Sequence, residues 1–196
     1  RDPEGALAYV VGLPPGAEAS LALRLIVEDL AARDPARALA LAIERAQSRD
    51  DQALFSLLFE QMARVSVVSA AGRIEQVPPG IGRENAIRAV ADGWARADFD
   101  AALTWARQRP ATSDRSPAVE SVLRTLAATD PLRTIELAQA DLGGAPRERV
   151  VFDALQTLAA ADPREASGLV RLLPAGETQD LLAAEVAKGW APRDVA

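Results

Sequence analysis

Two rows of residues, each repeating at 32-residue intervals, hold the side chains best suited to bind a partner. The first row is mostly polar and includes one aromatic side chain: Arg24, Ser56, Arg88, Glu120, Phe152 and Ala184. The second row lies one helical turn later and changes sign along the chain: Glu28, Glu60, Asp92, Arg124, Gln156 and Lys188. Aromatic and Arg side chains dominate binding energy at many protein interfaces.

From these rows we select seven candidate partner-binding residues, because a repeat protein builds specificity from variable positions on a constant frame. The alternative interpretation is an ordinary protein surface. Solvated helix faces commonly carry mixed charges, and a single aromatic side chain can be exposed alone or contact an adjacent helix of the same chain. The candidates are Arg24, Arg88, Asp92, Glu120, Arg124, Phe152 and Gln156.

Residues for catalysis are scarce. The chain has no His and no Cys, which removes the usual zinc ligands, thiol nucleophiles and the commonest general base near neutral pH. Neither a GxxxxGK[ST] phosphate loop nor a GxSxG nucleophile elbow occurs in the sequence. The adjacent acids Asp50 and Asp51 suit a helix turn better than a shared acid–base cleft. We therefore expect no catalytic residue, no cofactor and no metal in this segment.

The net charge of the chain disfavours nucleic acid as a partner. The net charge is -6 with a pI near 4.8, and nucleic-acid binding draws most of its affinity from clustered Lys and Arg. No stretch approaches 18 consecutive apolar residues, so we expect no membrane insertion. A protein or a peptide is the expected partner. The oligomeric state stays open, and both a periplasmic and a cytoplasmic location are compatible with the absence of Cys.

A helix-start signal repeats in the same 32-residue phase and predicts the elements that carry these rows. Asp34 precedes Pro35, and an aspartate recurs at Asp98, Asp130 and Asp162. A carboxylate can accept the unpaired N–H groups of a helix start, and proline at the first helical position has its φ preset. Before each Asp runs an apolar stripe with helical spacing. We predict helices near 21–32 and 35–46, repeated along the chain.

The repeat predicts an all-α superhelix, or solenoid, of about six helical hairpins in one domain over residues 1–196. Hydrophobic residues make up 49% and aromatic residues 4% of the chain, as closely packed helices with small side chains require. Since both end units are partial, we expect the natural protein to continue beyond each end. The units are a partial repeat at 1–17, repeats at 18–49, 50–81, 82–113, 114–145 and 146–177, and a partial repeat at 178–196.

The architecture resembles the tetratricopeptide-like class of helical repeats over essentially the whole chain. Ala102 and Pro110 fall in the second helix, as that consensus asks. In the first helix Gly93 stands directly before Trp94, no Tyr follows, and the unit is shorter than in that class. The resemblance therefore implies the fold and a general partner-binding role, and it implies no individual binding residue.

Bulky side chains at helical spacing are interpreted as core. Trp94 and Trp190 share the position that Leu30 and Leu158 hold in other repeats, so we expect both rings to be buried. Phe55 and Phe59 are assigned to the core on the same ground.

The second repeat departs from the pattern. Ser66 replaces the aspartate, β-branched residues follow it, and Gly72 falls within the expected helix. A decayed repeat, a distorted helix, a hinge and a docking site are all compatible with this segment.

Two functions fit these features, and a third, a purely structural spacer with no bound ligand, is also compatible with them. The first is a non-catalytic scaffold that binds a protein or peptide along the first helices. The alternative is the helical superstructure of a larger enzyme, for instance one acting on cell-wall polymers.

Overall fold

The computed structural model describes residues 5, 9, 12–14, 16–46, 51–111, 114–171 and 176–190, and these residues form helices and short connections without any strand. The all-α prediction is confirmed, whereas the superhelix of about six hairpins stays a prediction. The chain divides into two compact units, 1–97 and 98–196. Unit 1 contains α1 (Ala17–Arg33), α2 (Pro35–Arg45), α3 (Leu54–Arg73) and α4 (Ile81–Ala97). Unit 2 contains α5 (Phe99–Arg107), α6 (Arg115–Ala127), α7 (Pro131–Asp141), α8 (Gly144–Ala161), α9 (Pro163–Val170) and α10 (Glu177–Trp190).

Four of these helices begin one residue after an aspartate that caps them. The carboxylates of Asp34, Asp98, Asp130 and Asp162 accept the N–H three residues on, at 3.0 to 3.1 Å. At Asp34 the backbone N–H also donates to Leu30 O at 2.7 Å, and the Asp34 carbonyl accepts from Ala38 N at 3.0 Å. One residue therefore ends the first helix and begins the second. This confirms the predicted role of all four aspartates.

Ser66 forms the same kind of junction although the aspartate and the proline are absent. Its backbone has φ -159° and ψ 106° inside α3, close to the φ -143° and ψ 80° of Asp34. Its Oγ accepts from Ser69 N at 3.2 Å. Because Ser caps a helix about as well as Asp, the second repeat keeps the junction without the Asp-Pro pair. Helix α3 thus joins a first helix, up to Val65, to a second helix from Val67.

In each repeat, the helix before the junction is called the first helix and the helix after it the second helix. Within each unit, the first helices of neighbouring repeats pack on each other, and the second helices fill the space beside them. In unit 1, α1 packs on α3 and α3 on α4, while α2 contacts both α1 and α3. In unit 2, α6 packs on α8 and α8 on α10, and α7 and α9 each contact the first helices on either side. Phe55 and Phe59 of α3 are buried in the core of unit 1, as predicted.

The tryptophans are less buried than expected. Trp94 is only half-buried, and Trp190 is 55% exposed, so its assignment to the core was wrong. Leu30, at the equivalent position, is covered because α2 follows α1 and packs on it. Trp190 is the last described residue, and no described helix follows it to cover the ring.

A glycine permits the close approach of α4 to the start of α3. A methyl group at Gly82 would lie 2.6 Å from Phe55 Cδ2 and would also collide with the Gln52 side chain. Gly72 in α3 differs, because an added methyl group would meet no atom within 4 Å. A side-chain methyl group is therefore sterically blocked at Gly82 and has free space at Gly72.

Replacing a capping aspartate should destabilise the fold modestly. Asp162→Ala removes the acceptor for Glu165 N and should cost about 1 kcal/mol, since loss of an N-cap costs roughly 0.5 to 2 kcal/mol. For a chain of this size that corresponds to a melting temperature lower by about 2 to 4 °C, measured by circular dichroism. Asp162→Asn is the control and should melt like the parent, because Asn caps equally well. An Ala variant that melts like the parent would contradict the capping role.

The two glycines predict opposite effects of Ala. Gly82→Ala should lower stability by about 1 to 3 kcal/mol, as overpacking a dense core does. Gly72→Ala should raise it by about 0.5 to 1 kcal/mol, because Ala favours helix and the site is open. Urea unfolding of both variants tests the pair. A stabilised Gly82→Ala protein would show that the close approach is not a constraint.

Candidate partner-binding grooves

Neighbouring first helices leave a groove between them in each unit. The second polar row contributes to both grooves, whereas the first row contributes only to the groove of unit 2. The α3–α4 groove of unit 1 has a volume of about 350 Å³ and is lined by Glu60, Ala63, Arg64, Ala89, Asp92, Gly93 and Arg96. The α6–α8 groove of unit 2 has a volume of about 280 Å³ and is lined by Arg124, Ala145, Glu148, Arg149, Phe152 and Asp153.

Small residues form the floor of the α3–α4 groove and charges form its rim. A methyl group at Gly93 would contact Ala63 Cβ at 3.5 Å, which shows how closely the two helices approach. On the rim, Asp92 Oδ2 pairs with Arg96 Nη2 at 2.8 Å. Both partners lie on α4, so this pair does not tie the helices together. The groove offers charged groups on a surface without an aromatic side chain.

Two ion pairs cross the α6–α8 groove. Arg149 Nε and Nη2 donate to the two Glu120 carboxylate oxygens at 2.8 and 3.0 Å. Arg124 Nε donates to Asp153 Oδ2 at 2.8 Å. On each helix the acid and the base are four residues apart, so both pairs form in the same register.

The paired guanidinium groups still face solvent. The side chains of Arg124 and Arg149 are 57% and 53% exposed. The hydrogen bond from Arg149 to Glu120, and then the negative charge of Glu120, raise the pKa of Arg149 above its ordinary value. Arg149 therefore stays charged across the physiological pH range. Each arginine is held by one carboxylate and presents its remaining N–H donors to the groove.

Phe152 connects this groove to the core. It is half-buried, packs against the apolar cluster of unit 2 that includes Leu155, and lines the groove with Arg124 and Arg149. Of the interpretations left open for Phe152, contact with neighbouring helices is confirmed by its packing in unit 2, and a partner contact stays a prediction. Its buried side stabilises unit 2, and its groove side is available for contact.

The seven candidate residues have different positions. Asp92 lines the α3–α4 groove, and Arg124 and Phe152 line the α6–α8 groove. Arg24 and Arg88 are exposed outside both grooves and pair with acids on their own helices, while Gln156 is simply exposed.

Glu120 does not face water as its row predicted. Its residue surface is only 6% exposed. The reason is that its position on α6 points toward α8, where Arg149 reaches the carboxylate. Glu120 therefore positions Arg149 and has little surface left for a partner.

Sequence reasoning missed Arg149, Asp153 and Glu148. A signal for the first two exists, because opposite charges stand 29 residues apart in both crossed pairs. That spacing is one repeat less about one helical turn, which places two side chains across neighbouring first helices. The second helices show a related pattern, with Arg107 bound to Asp141 and Arg133 bound to Asp100.

Other kinds of site were sought in the described part of the chain. There, no cluster of three or more His, Cys, Asp or Glu side chains is placed to hold a metal ion. One helical stretch, Asp51–Gln76, is long and apolar enough to cross a membrane by length and composition, with a mean hydropathy of 1.3. The same stretch is kinked at Ser66 and buries Leu58 and Phe59 in unit 1. Its composition is therefore weak evidence for insertion.

Comparison with protein-family models, curated proteins and solved structures finds no match for this chain. The two grooves and their charged rims are therefore the features on which a function can be proposed.

Truncating the two arginines of the crossed ion pairs should lower the free energy of unfolding by unequal amounts. Arg149→Ala leaves the Glu120 carboxylate buried without its partner and should cost about 2 kcal/mol, within the range for an unsatisfied buried charged group. Arg124→Ala exposes only the partly solvated Asp153 and should cost about 0.5 kcal/mol, as exposed pairs do. Urea unfolding gives both values. Equal losses in the two variants would contradict the special role of the buried carboxylate.

Proposed function

We propose that this chain is a non-catalytic α-solenoid scaffold that binds a protein or peptide in the grooves between its first helices. The observation that supports this most directly is the α6–α8 groove, where Phe152 lies beside two arginines that carboxylates hold in place. Aromatic and Arg side chains together are the usual anchors of protein interfaces.

The repeat supports the solenoid part of the proposal. The five junctions at Asp34, Ser66, Asp98, Asp130 and Asp162 recur at 32-residue intervals. Within each unit, first helices pack on the first helices of the neighbouring repeat. Stacked hairpins of this kind share one continuous core, and their first helices form a row of parallel grooves.

Pre-organisation favours the α6–α8 groove over the α3–α4 groove as the main binding site. A free arginine loses rotamer entropy when a partner immobilises it. Arg124 and Arg149 are already restrained by Asp153 and Glu120, so that cost is reduced. A partner side chain that packs on Phe152 can place a carbonyl or carboxylate against the remaining guanidinium donors.

The Phe152 and Arg124 side chains should determine affinity. Phe152→Ala and Arg124→Ala should each weaken partner binding at least about tenfold, which corresponds to about 1.4 kcal/mol. A pull-down with the immobilised chain supplies the partner, and isothermal titration gives the dissociation constants. Arg33→Ala is the matched control, because Arg33 is an exposed arginine outside both grooves that pairs with Asp29 on its own helix.

Circular dichroism separates loss of binding from loss of folding, since Phe152→Ala also removes a contact with the unit 2 core. Parent-like affinity in both folded groove variants would rule out the α6–α8 groove. A loss confined to Asp92→Ala would assign binding to the α3–α4 groove instead.

A further inference from the structure

The charges at the α6–α8 groove do not cancel. The charged residues of its lining are two arginines, Arg124 and Arg149, and two acids, Glu148 and Asp153. The buried Glu120 carboxylate, which Arg149 contacts, adds a third acid. Two positive and three negative side chains therefore meet at this groove, so one negative charge is in excess.

Glu148 carries that excess charge. The other two carboxylates are each paired with an arginine across the groove. Glu148 is exposed and forms no ion pair or hydrogen bond with any residue in the described part of the chain. Arg147, its neighbour in sequence, does not line the groove, because consecutive residues of a helix point in different directions. The groove therefore presents one carboxylate that is available to a partner.

The aromatic ring of the groove lies beside this carboxylate. Glu148 and Phe152 are four residues apart on α8, so their side chains are neighbours on one helix face. The ring packs on the apolar cluster of unit 2 and also lines the groove. An aromatic face attracts a cation that lies within about 6 Å of its centre. A cation at this place would contact the ring and the carboxylate together.

We infer that the α6–α8 groove binds a peptide through a Lys or Arg side chain of that peptide, whose charged group lies between Glu148 and Phe152. The inference rests on the proposed function, because it names the chemistry of the partner at the same groove. Main-chain carbonyls beside the basic residue accept hydrogen bonds from Arg124 and Arg149. A neutral carbonyl fits these donors better than a carboxylate, since a carboxylate would increase the excess of negative charge.

The charge of the whole chain favours the same partner. The net charge is -6, so a basic peptide is attracted before contact and an acidic peptide is repelled. The α3–α4 groove lacks these features, because its lining contains two acids, two arginines and no aromatic ring. The basic side chain is therefore assigned to the α6–α8 groove.

Selection from a random peptide library tests which charge the groove prefers. Phage that display short random peptides are selected on the immobilised chain, and the retained peptides are sequenced. The parent should enrich Lys and Arg. Glu148→Arg should enrich Asp and Glu instead, because the groove then has an excess of positive charge. Glu136→Arg is the matched control and should select like the parent, since Glu136 is an exposed glutamate on α7 outside both grooves.

A double-mutant cycle on one selected peptide measures the contact itself. Glu148→Gln should raise the dissociation constant at least about fivefold, which corresponds to about 1 kcal/mol, in isothermal titration. Glu136→Gln should leave it unchanged. When the basic residue of the peptide is replaced by Gln, the effect of Glu148→Gln should fall below about twofold. Circular dichroism should show a parent-like fold, because Glu148 is exposed and unpaired.

The possible results separate this inference from the proposed function. Retained peptides that are acidic or have no charge preference, or parent-like affinity of the Glu148→Gln protein, would overturn the inference. The proposed function would stand if Phe152→Ala still abolished binding. If no peptide is retained, the inference fails, and the pull-down alone decides the proposed function. Binding that neither Phe152→Ala nor Arg124→Ala weakens would contradict the α6–α8 groove itself and therefore both proposals.

Discussion

A capped junction between consecutive helices, recurring every 32 residues, is the constraint on which this fold depends. The junction residue ends one helix with its N–H and begins the next with its carbonyl and its side chain, as Asp34 does. No flexible linker intervenes, so the extended backbone of that residue sets the direction of the second helix. At Asp34, Asp130 and Asp162 the two joined helices pack on each other within one unit, so their apolar faces share a core.

In unit 2, side-chain ion pairs also connect the helices of neighbouring repeats. First helices are joined by the pairs Glu120–Arg149 and Arg124–Asp153, and second helices by Arg107–Asp141 and Asp100–Arg133. Most of these charges are partly solvated, so their contribution to stability is small. The effect of the two first-helix pairs is mainly geometric, because they hold Arg124 and Arg149 in defined positions beside Phe152.

The proposed scaffold separates the binding positions from the positions that build the fold. Binding is assigned to positions that vary between repeats while the junctions stay constant, as in other repeat architectures. Ser66 shows that a change of residue type in a repeated element can preserve the local capping geometry.

Local interactions explain what the sequence by itself determined: the helical class, the 32-residue phase and the four capping aspartates. Capping and helix periodicity act within a few residues and are visible in one stretch of chain. Only tertiary structure decided that Glu120 is buried, that Trp190 is exposed, and that Arg149 and Asp153 join the groove. These outcomes depend on which helix lies opposite a side chain, and the packing of neighbouring repeats sets that pairing.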